Sequence, residues 1–253
     1  MASDTPDELV HYAVEGAVAT ITLDSQHNRN ALSRQLVTEL SEAITRADQD
    51  PSVGVVLLTS QGRVFCSGAD LSEASTVPME EGGRAIATLQ RQIVSASKPV
   101  VVKLAGPVRA GGTGIVAAAD VVIAADDASF ALTEVKLGLT PAIISLTVLP
   151  RMTSRAAAYT FLSGEVFHGP AAAEMGLITR SVPADELDAA VAQVCAELAS
   201  GAPQGLRETK ALLAAELLPR FDERTDDLIA LSARLFGSDE AREAMTAFLS
   251  RSR

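Results

Sequence analysis

Residues 65–71, FCSGADL, and residues 109–120, RAGGTGIVAAAD, are where this chain could do chemistry. Each sits just after an apolar run that reads as a strand, and the second opens another apolar run that reads as a short helix. Glycine beside small residues at two such junctions can point backbone N–H groups at one spot. That arrangement stabilises negative charge developing on an oxygen. An N–H at a helix start is favoured further by the helix dipole. The competing reading is that these glycines only make turns, and composition alone does not separate the two. Residues 112–117 also fit G-x-G-x-x-A, with Glu134 20 positions after Gly114, nearly the fingerprint of a dinucleotide-binding turn. Local order argues against it. AGPVRA separates the strand from the glycines, the helix lasts only about two turns, and Asp126 and Asp127 come too early for a ribose contact.

The elements that must position these loops alternate in an α/β pattern. Residues 11–23, HYAVEGAVATITL, read as a hairpin about Glu15 and Gly16. Residues 33–48 read as a helix with Leu36, Leu40 and Ile44 on one face. VGVVLLTS and KPVVVKLAG read as buried strands, and VVIAA as a third. Between the first two, the polar stretch 73–83 reads as a mobile loop before a helix at 86–94. From Pro183 the pattern is helical only, near 185–200, 203–217, 222–236 and 239–251, with Leu228, Leu231 and Leu235 on one stripe. The breakers SGAPQG near residue 200 divide a core, 1–200, from a C-terminal helical segment, 201–253.

Bulk properties exclude several classes. A chain of 253 residues suits one core with an appendage. A formal charge of −11 makes nucleic acid and anionic membrane poor partners. Cys66 and Cys195 are too few and too far apart for a disulfide framework or a zinc site, which fits a reducing cytoplasm. The start, MASDTPDE, has no signal-peptide character, and the longest apolar run, 114–125, is broken by Asp120 and too short for a bilayer. A cytoplasmic location is therefore expected. Hydrophobic residues make up 47% of the chain, and mean hydropathy is +0.22. Some of that surface is expected to be buried between subunits.

FCSGADL, RAGGTGIVAAADVVIA, FALTEVKLGL and SGEVFHGPAAAEMGLITRSV occur in the order seen in the crotonase, or enoyl-CoA hydratase/isomerase, superfamily. HNRNALS and LFGSDEAREAMTAFL resemble it too, so the likeness runs from about residue 8 to residue 250. The resemblance implies an α/β fold, the ClpP/crotonase spiral of ββα units with a C-terminal helical segment. It implies backbone N–H groups at Ala69 and Gly111 holding an acyl-CoA thioester oxygen, with Gly111 and Gly112 bare so that the carbonyl can approach. It places Arg29 near the CoA phosphates, and Asp70, Leu71 and Ser72 along the CoA pocket. It implies no cofactor beyond the CoA of the substrate, no metal, and a homotrimer or homohexamer with the C-terminal helices at the interface.

Hydratases of the best-known type carry two glutamates. One of those positions is Gly114 here, and a glycine transfers no proton; the other is Glu134. A single carboxylate can still move a proton α to the thioester or activate a water for the β carbon. Val135, Leu137 and Leu139 beside it would raise its pKa toward that task; the alternative is a solvated loop acid. GLTPAIIS resembles hydratases for branched or glutaconyl-type thioesters, such as 3-methylglutaconyl-CoA hydratase. The expected reaction is hydration of a 2-enoyl-CoA, with a Δ3,Δ2-enoyl-CoA isomerase or a non-catalytic acyl-CoA binder as rivals. Asp120 reads as structural and Cys66 as a small buried residue. His11, His27 and His168 form no triad with Ser67 or Ser145.

Overall fold

Glycine at position 16, with φ of 58°, reverses the chain between β1 (Val10–Glu15) and β2 (Val18–Leu23), which pair antiparallel with Val10 opposite Leu23. Alternation in β2 buries Ala19, Ile21 and Leu23. The computed structural model describes residues 8–70, 72–73 and 78–251, the last four of these by backbone alone. Ser33 caps α1 (Arg34–Gln49) by accepting the Leu36 N–H at 3.3 Å. The apolar face of α1, including Leu36, Leu40 and Ile44, lies in the core.

β2 then pairs parallel with β3 (Val55–Ser60), β3 with β4 (Val100–Leu104), β4 with β6 (Val121–Ala125) and β6 with β9 (Arg180–Val182). Parallel pairing requires helical crossovers, and these place helices against the sheet. One of them, α2 (Met79–Ser95), starts about two turns earlier than its apolar residues suggest. Its first turn, Met-Glu-Glu-Gly-Gly, reads as loop because it is polar and glycine-rich. Glu80 and Glu81, however, favour a helix N-terminus electrostatically. Residues 74–77 of the expected mobile loop lie outside the described residues.

A second sheet, absent from the sequence reading, joins β5 (Val108–Arg109), β7 (Ser129–Ala131) and β8 (Val166–His168). Its strands have two or three residues each, too few for an alternation to register. Phe130 and Phe167 stack across it with centroids 5.4 Å apart. Helix α3 (Gly111–Ala118), which joins β5 of this sheet to β6 of the first, packs against α2 and α4 (Ser145–Arg151) with all eight residues buried. Helices α5 (Ser154–Ser163) and α6 (Gly169–Glu174) follow α4, then α7 (Leu187–Ala199).

The C-terminal segment comprises α8 (Pro203–Ala214), α9 (Leu218–Phe236) and α10 (Asp239–Arg251). It is bound tightly to the same chain. Phe221, Leu228 and Ile229 of α9 are buried, and Arg84 and Arg91 of α2 pair with Asp226 and Asp222 of α9. Lys210 of α8 is buried with its Nζ donating to Asp120 Oδ2 at 2.7 Å and to the carbonyls of Ile93 and Lys98 at 3.0 and 2.9 Å. Asp120 also accepts the Val100 N–H, so it is a structural residue as its place in the sequence suggests.

Candidate active site

The two glycine loops lie side by side. Phe65 N–H donates to the Pro107 carbonyl and Arg109 N–H to that of Cys66, both at 3.0 Å. A third segment braces the first loop, because Leu32 N–H donates to the Gly68 carbonyl at 2.8 Å and Ser67 N–H to that of Arg29 at 3.1 Å. Gly68 takes φ of 102°, where a side chain is strained, and its missing Cβ would lie 2.8 Å from that of Ala110. Ala110 itself has φ of 45°, a conformation that costs energy and turns the chain abruptly into α3. At the centre, the Cys66 sulfur accepts the Gly68 N–H at 3.5 Å and also faces the Gly112 N–H. Burial pushes this thiol up to about 12, so it is a neutral spacer between the loops.

Among the described residues, the N–H groups of Ala69 and Gly111 donate to no protein acceptor. Gly111 is the first residue of α3, so the helix supplies no acceptor for it. The bare Cα atoms, however, do a different job from the one expected of them. A Cβ on Gly111 would lie 2.7 Å from Leu32 Cδ1, and one on Gly112 would lie 2.6 Å from Cys66 Cβ. The space they clear is filled by the protein's own side chains, which lock the loops together. What remains for a ligand is the pair of N–H donors.

Beside Ala69 lies a cavity of about 210 Å³, walled by Leu32, Val37, Met79, Ile86 and Ile143. Arg34, the one cation among its described lining residues, is paired with Glu81 at 2.7 Å.

Glu134 heads a 3-10 turn, Thr133–Leu137, that follows β7. Gly138, with φ of 70°, closes the turn, and its N–H returns to the Glu134 carbonyl. Glu134 Oε2 is buried and has no hydrogen-bond partner. Desolvation raises the carboxyl pKa above its ordinary value, and the residue's own N–H offsets this in part. The solvated-acid alternative does not hold. The chain around the turn is close-packed, since a Cβ on Gly138 would lie 3.0 Å from Ala241 Cα of α10.

Gln90 and Thr147 pack against α3 at Gly114 and escaped the sequence reading. Both are fully buried. Thr147 Oγ1 donates to Gln90 Oε1 at 2.8 Å and lies 3.0 Å from the Gly114 carbonyl. A Cβ on Gly114 would lie 2.9 Å from Gln90 Nε2 and 2.8 Å from Ile144 Cγ2, so the amide occupies the room a side chain at 114 would take. The available signal was a lone amide on an otherwise apolar helix face, among Leu89, Ile93 and Val94.

The remaining candidates are spread along the rim. Arg29 is exposed, in left-handed backbone at φ of 61°, and its guanidinium pairs with no described residue. Asp70 accepts the Ser72 hydroxyl and N–H on one oxygen and the Asn28 amide on the other, and the Ser72 hydroxyl above all lowers its pKa. It thereby caps a turn. Leu71 lies outside the described residues. The hydroxyls of Ser67 and Ser145 donate to the carbonyls of Asn28 and Ala142, and neither bonds to a histidine.

A spiral α/β core with two backbone N–H groups unpaired among the described residues, and with a buried Glu134 oxygen also unpaired among them, has the features of a crotonase-type protein. Residues 13–253 match the family described as Enoyl-CoA hydratase/isomerase, and the chain belongs to that family. It is similar to an enoyl-CoA hydratase from Mycobacterium avium of known structure, at TM-score 0.91 and 47% identity, with 97% of each chain covered. It is 30% identical over 210 residues to hydroxycinnamoyl-CoA hydratase-lyase of Pseudomonas fluorescens, spanning 79% of this chain and 76% of that one. It is also 29% identical over 255 residues to 1,2-epoxyphenylacetyl-CoA isomerase of Escherichia coli (strain K12), spanning 96% of each. No described helix is long and apolar enough to cross a membrane.

Proposed function

We propose that the protein adds water to a 2-enoyl-CoA thioester with Glu134 as its single acid–base group. The observation that carries this reading is the buried, unpartnered Oε2 of Glu134 in a fold that leaves the Ala69 and Gly111 N–H groups free. In the first step the Glu134 carboxylate takes a proton from water, and the water oxygen bonds to the β carbon. The π electrons move onto the thioester oxygen, held by the two N–H donors. Glu134 then returns its proton to the α carbon. One acid serving both ends delivers H and OH to the same face of the double bond.

Arg29 meets the CoA phosphates in this scheme, and the turn at Asp70 and Ser72 shapes the CoA channel beside Ala69. CoA enters as part of the substrate, and no further cofactor takes part. Apolar acyl groups suit the cavity better than carboxylate-bearing ones such as glutaconyl, because its cation is already paired. The assembly is a homotrimer or homohexamer, consistent with the exposed Tyr159, Leu162, Leu212 and Leu213. The reading is tested by incubating the protein with a panel of 2-enoyl-CoAs, crotonyl-CoA and 3-methylglutaconyl-CoA included, and following the conjugated-thioester absorbance. Absorbance loss with a mass gain of one water supports it; no loss on any member overturns it. A second reading, migration of a double bond between carbons 3 and 2, is favoured by the lack of a second acid at Gly114. Product analysis with a 3-enoyl-CoA distinguishes it.

A further inference from the structure

We propose that Gln90 is the residue that holds the attacking water, an inference that rests on the hydration reading above. Two contacts place the amide on the seam between α2 and α3. One turn back along that seam, Ile86 meets Gly111, since a Cβ there would lie 3.5 Å from Ile86 Cδ1. One turn on, Gln90 meets Gly114. The first rung carries an oxyanion donor, so the second lies about 5 Å further along, one helical pitch. A water poised about 3–3.5 Å from a substrate's β carbon lies further from the thioester oxygen than that carbon does, on the side of the second rung.

The amide is also oriented. Its carbonyl end is fixed by the Thr147 hydroxyl at 2.8 Å, which leaves the N–H end free. Nε2 is buried and donates to no described residue. A buried donor left unpaired costs about 1–3 kcal/mol, so a bound polar group that accepts from it is favoured. A water oxygen is such an acceptor. The division of labour then balances. Gln90 donates a hydrogen bond to the water oxygen and transfers no proton; Glu134 takes the water proton and later returns it. The Gly114 position is bare because this amide needs its room.

The test separates holding water from moving protons. The native enzyme, Gln90→Leu and Thr147→Val are compared in two assays. The first is hydration of the best 2-enoyl-CoA. The second is exchange of the α-protons of a saturated acyl-CoA in D2O, followed by NMR, which needs Glu134 and the two N–H donors but no held water. Affinity for the saturated acyl-CoA is measured alongside. The expected result is that hydration falls by roughly tenfold or more, the weight of one oriented hydrogen bond, while exchange and affinity stay within about twofold. Thr147→Val leaves α2 untouched and should give the same split. If hydration is unchanged, or if hydration and exchange fall together, the role of Gln90 is structural and the proposal is overturned. A native enzyme that exchanges α-protons but hydrates nothing overturns the hydration reading, and this proposal with it.

Discussion

At the scale of single residues, burial sets the chemistry. Glu134 titrates above its ordinary value of 4.5 because its carboxylate is poorly solvated. Between the ordinary and the raised value, the folded chain binds more protons than the unfolded one, so stability falls as pH rises through that window. On the proposed mechanism the water-activating carboxylate forms over the same range, so turnover should rise while stability falls. Glu134→Gln should abolish both dependences. Turnover should drop by roughly a hundredfold or more with acyl-CoA affinity nearly intact, and thermal denaturation should show the variant gaining on the native protein as pH increases. Unchanged turnover would remove Glu134 from the mechanism. Cys66 illustrates the opposite use of burial. With its thiol near 12 and fully buried, iodoacetamide at mildly alkaline pH should leave it unmodified in the native state, as mass spectrometry of the labelled chain would show. Glu134, Ala69 and Gly111 stand out in the sequence as candidates because motifs in fixed order mark them. Gln90 was not, because its role depends on a helix packing beside a glycine that is 24 positions away.

At the scale of elements, the site is built by close approach. Backbone from residues 29–32, 65–69 and 107–112 meets in one cluster, and its glycines are bare so that Leu32 and Cys66 fit. Gly112→Ala should therefore overpack the junction, at a cost of about 1–3 kcal/mol. Urea unfolding should show the loss, and turnover should fall with it because the Gly111 donor is displaced. A variant of native stability would refute this account. Helix α1, the hairpin and the long buried strands were legible because their periodicities span whole elements. The second sheet was not, since strands of two or three residues hold no period. The start of α2 was obscured because first-turn acids, which favour a helix through its dipole, resemble a polar loop.

At the scale of the whole molecule, the helical segment after residue 200 is fastened to the core through a buried ion pair. Lys210→Met would leave the partly buried Asp120 carboxylate and two carbonyls without their cation. Removing one partner of such a pair costs about 3–5 kcal/mol. Chemical denaturation of the full chain should register that loss, and a change below about 1 kcal/mol would show that solvent replaces the lysine. The four helices that end the chain were legible from breakers and stripes. Which face each helix presents to the core was not, because partner choice is a property of the assembled surface.

The anchoring point of Lys210 is also one end of α3. Asp120 follows that helix, and the Arg151 guanidinium binds the carbonyls of Ala117 and Ala119 in its last turn. Gly111, with its free N–H, is the other end. A rigid rod about 12 Å long thus connects the tail's mooring to the proposed oxyanion donor. Turnover becomes a gauge of whether the tail is docked. On gradual heating, activity should be lost at the temperature where the tail lets go, ahead of the melting of the sheets.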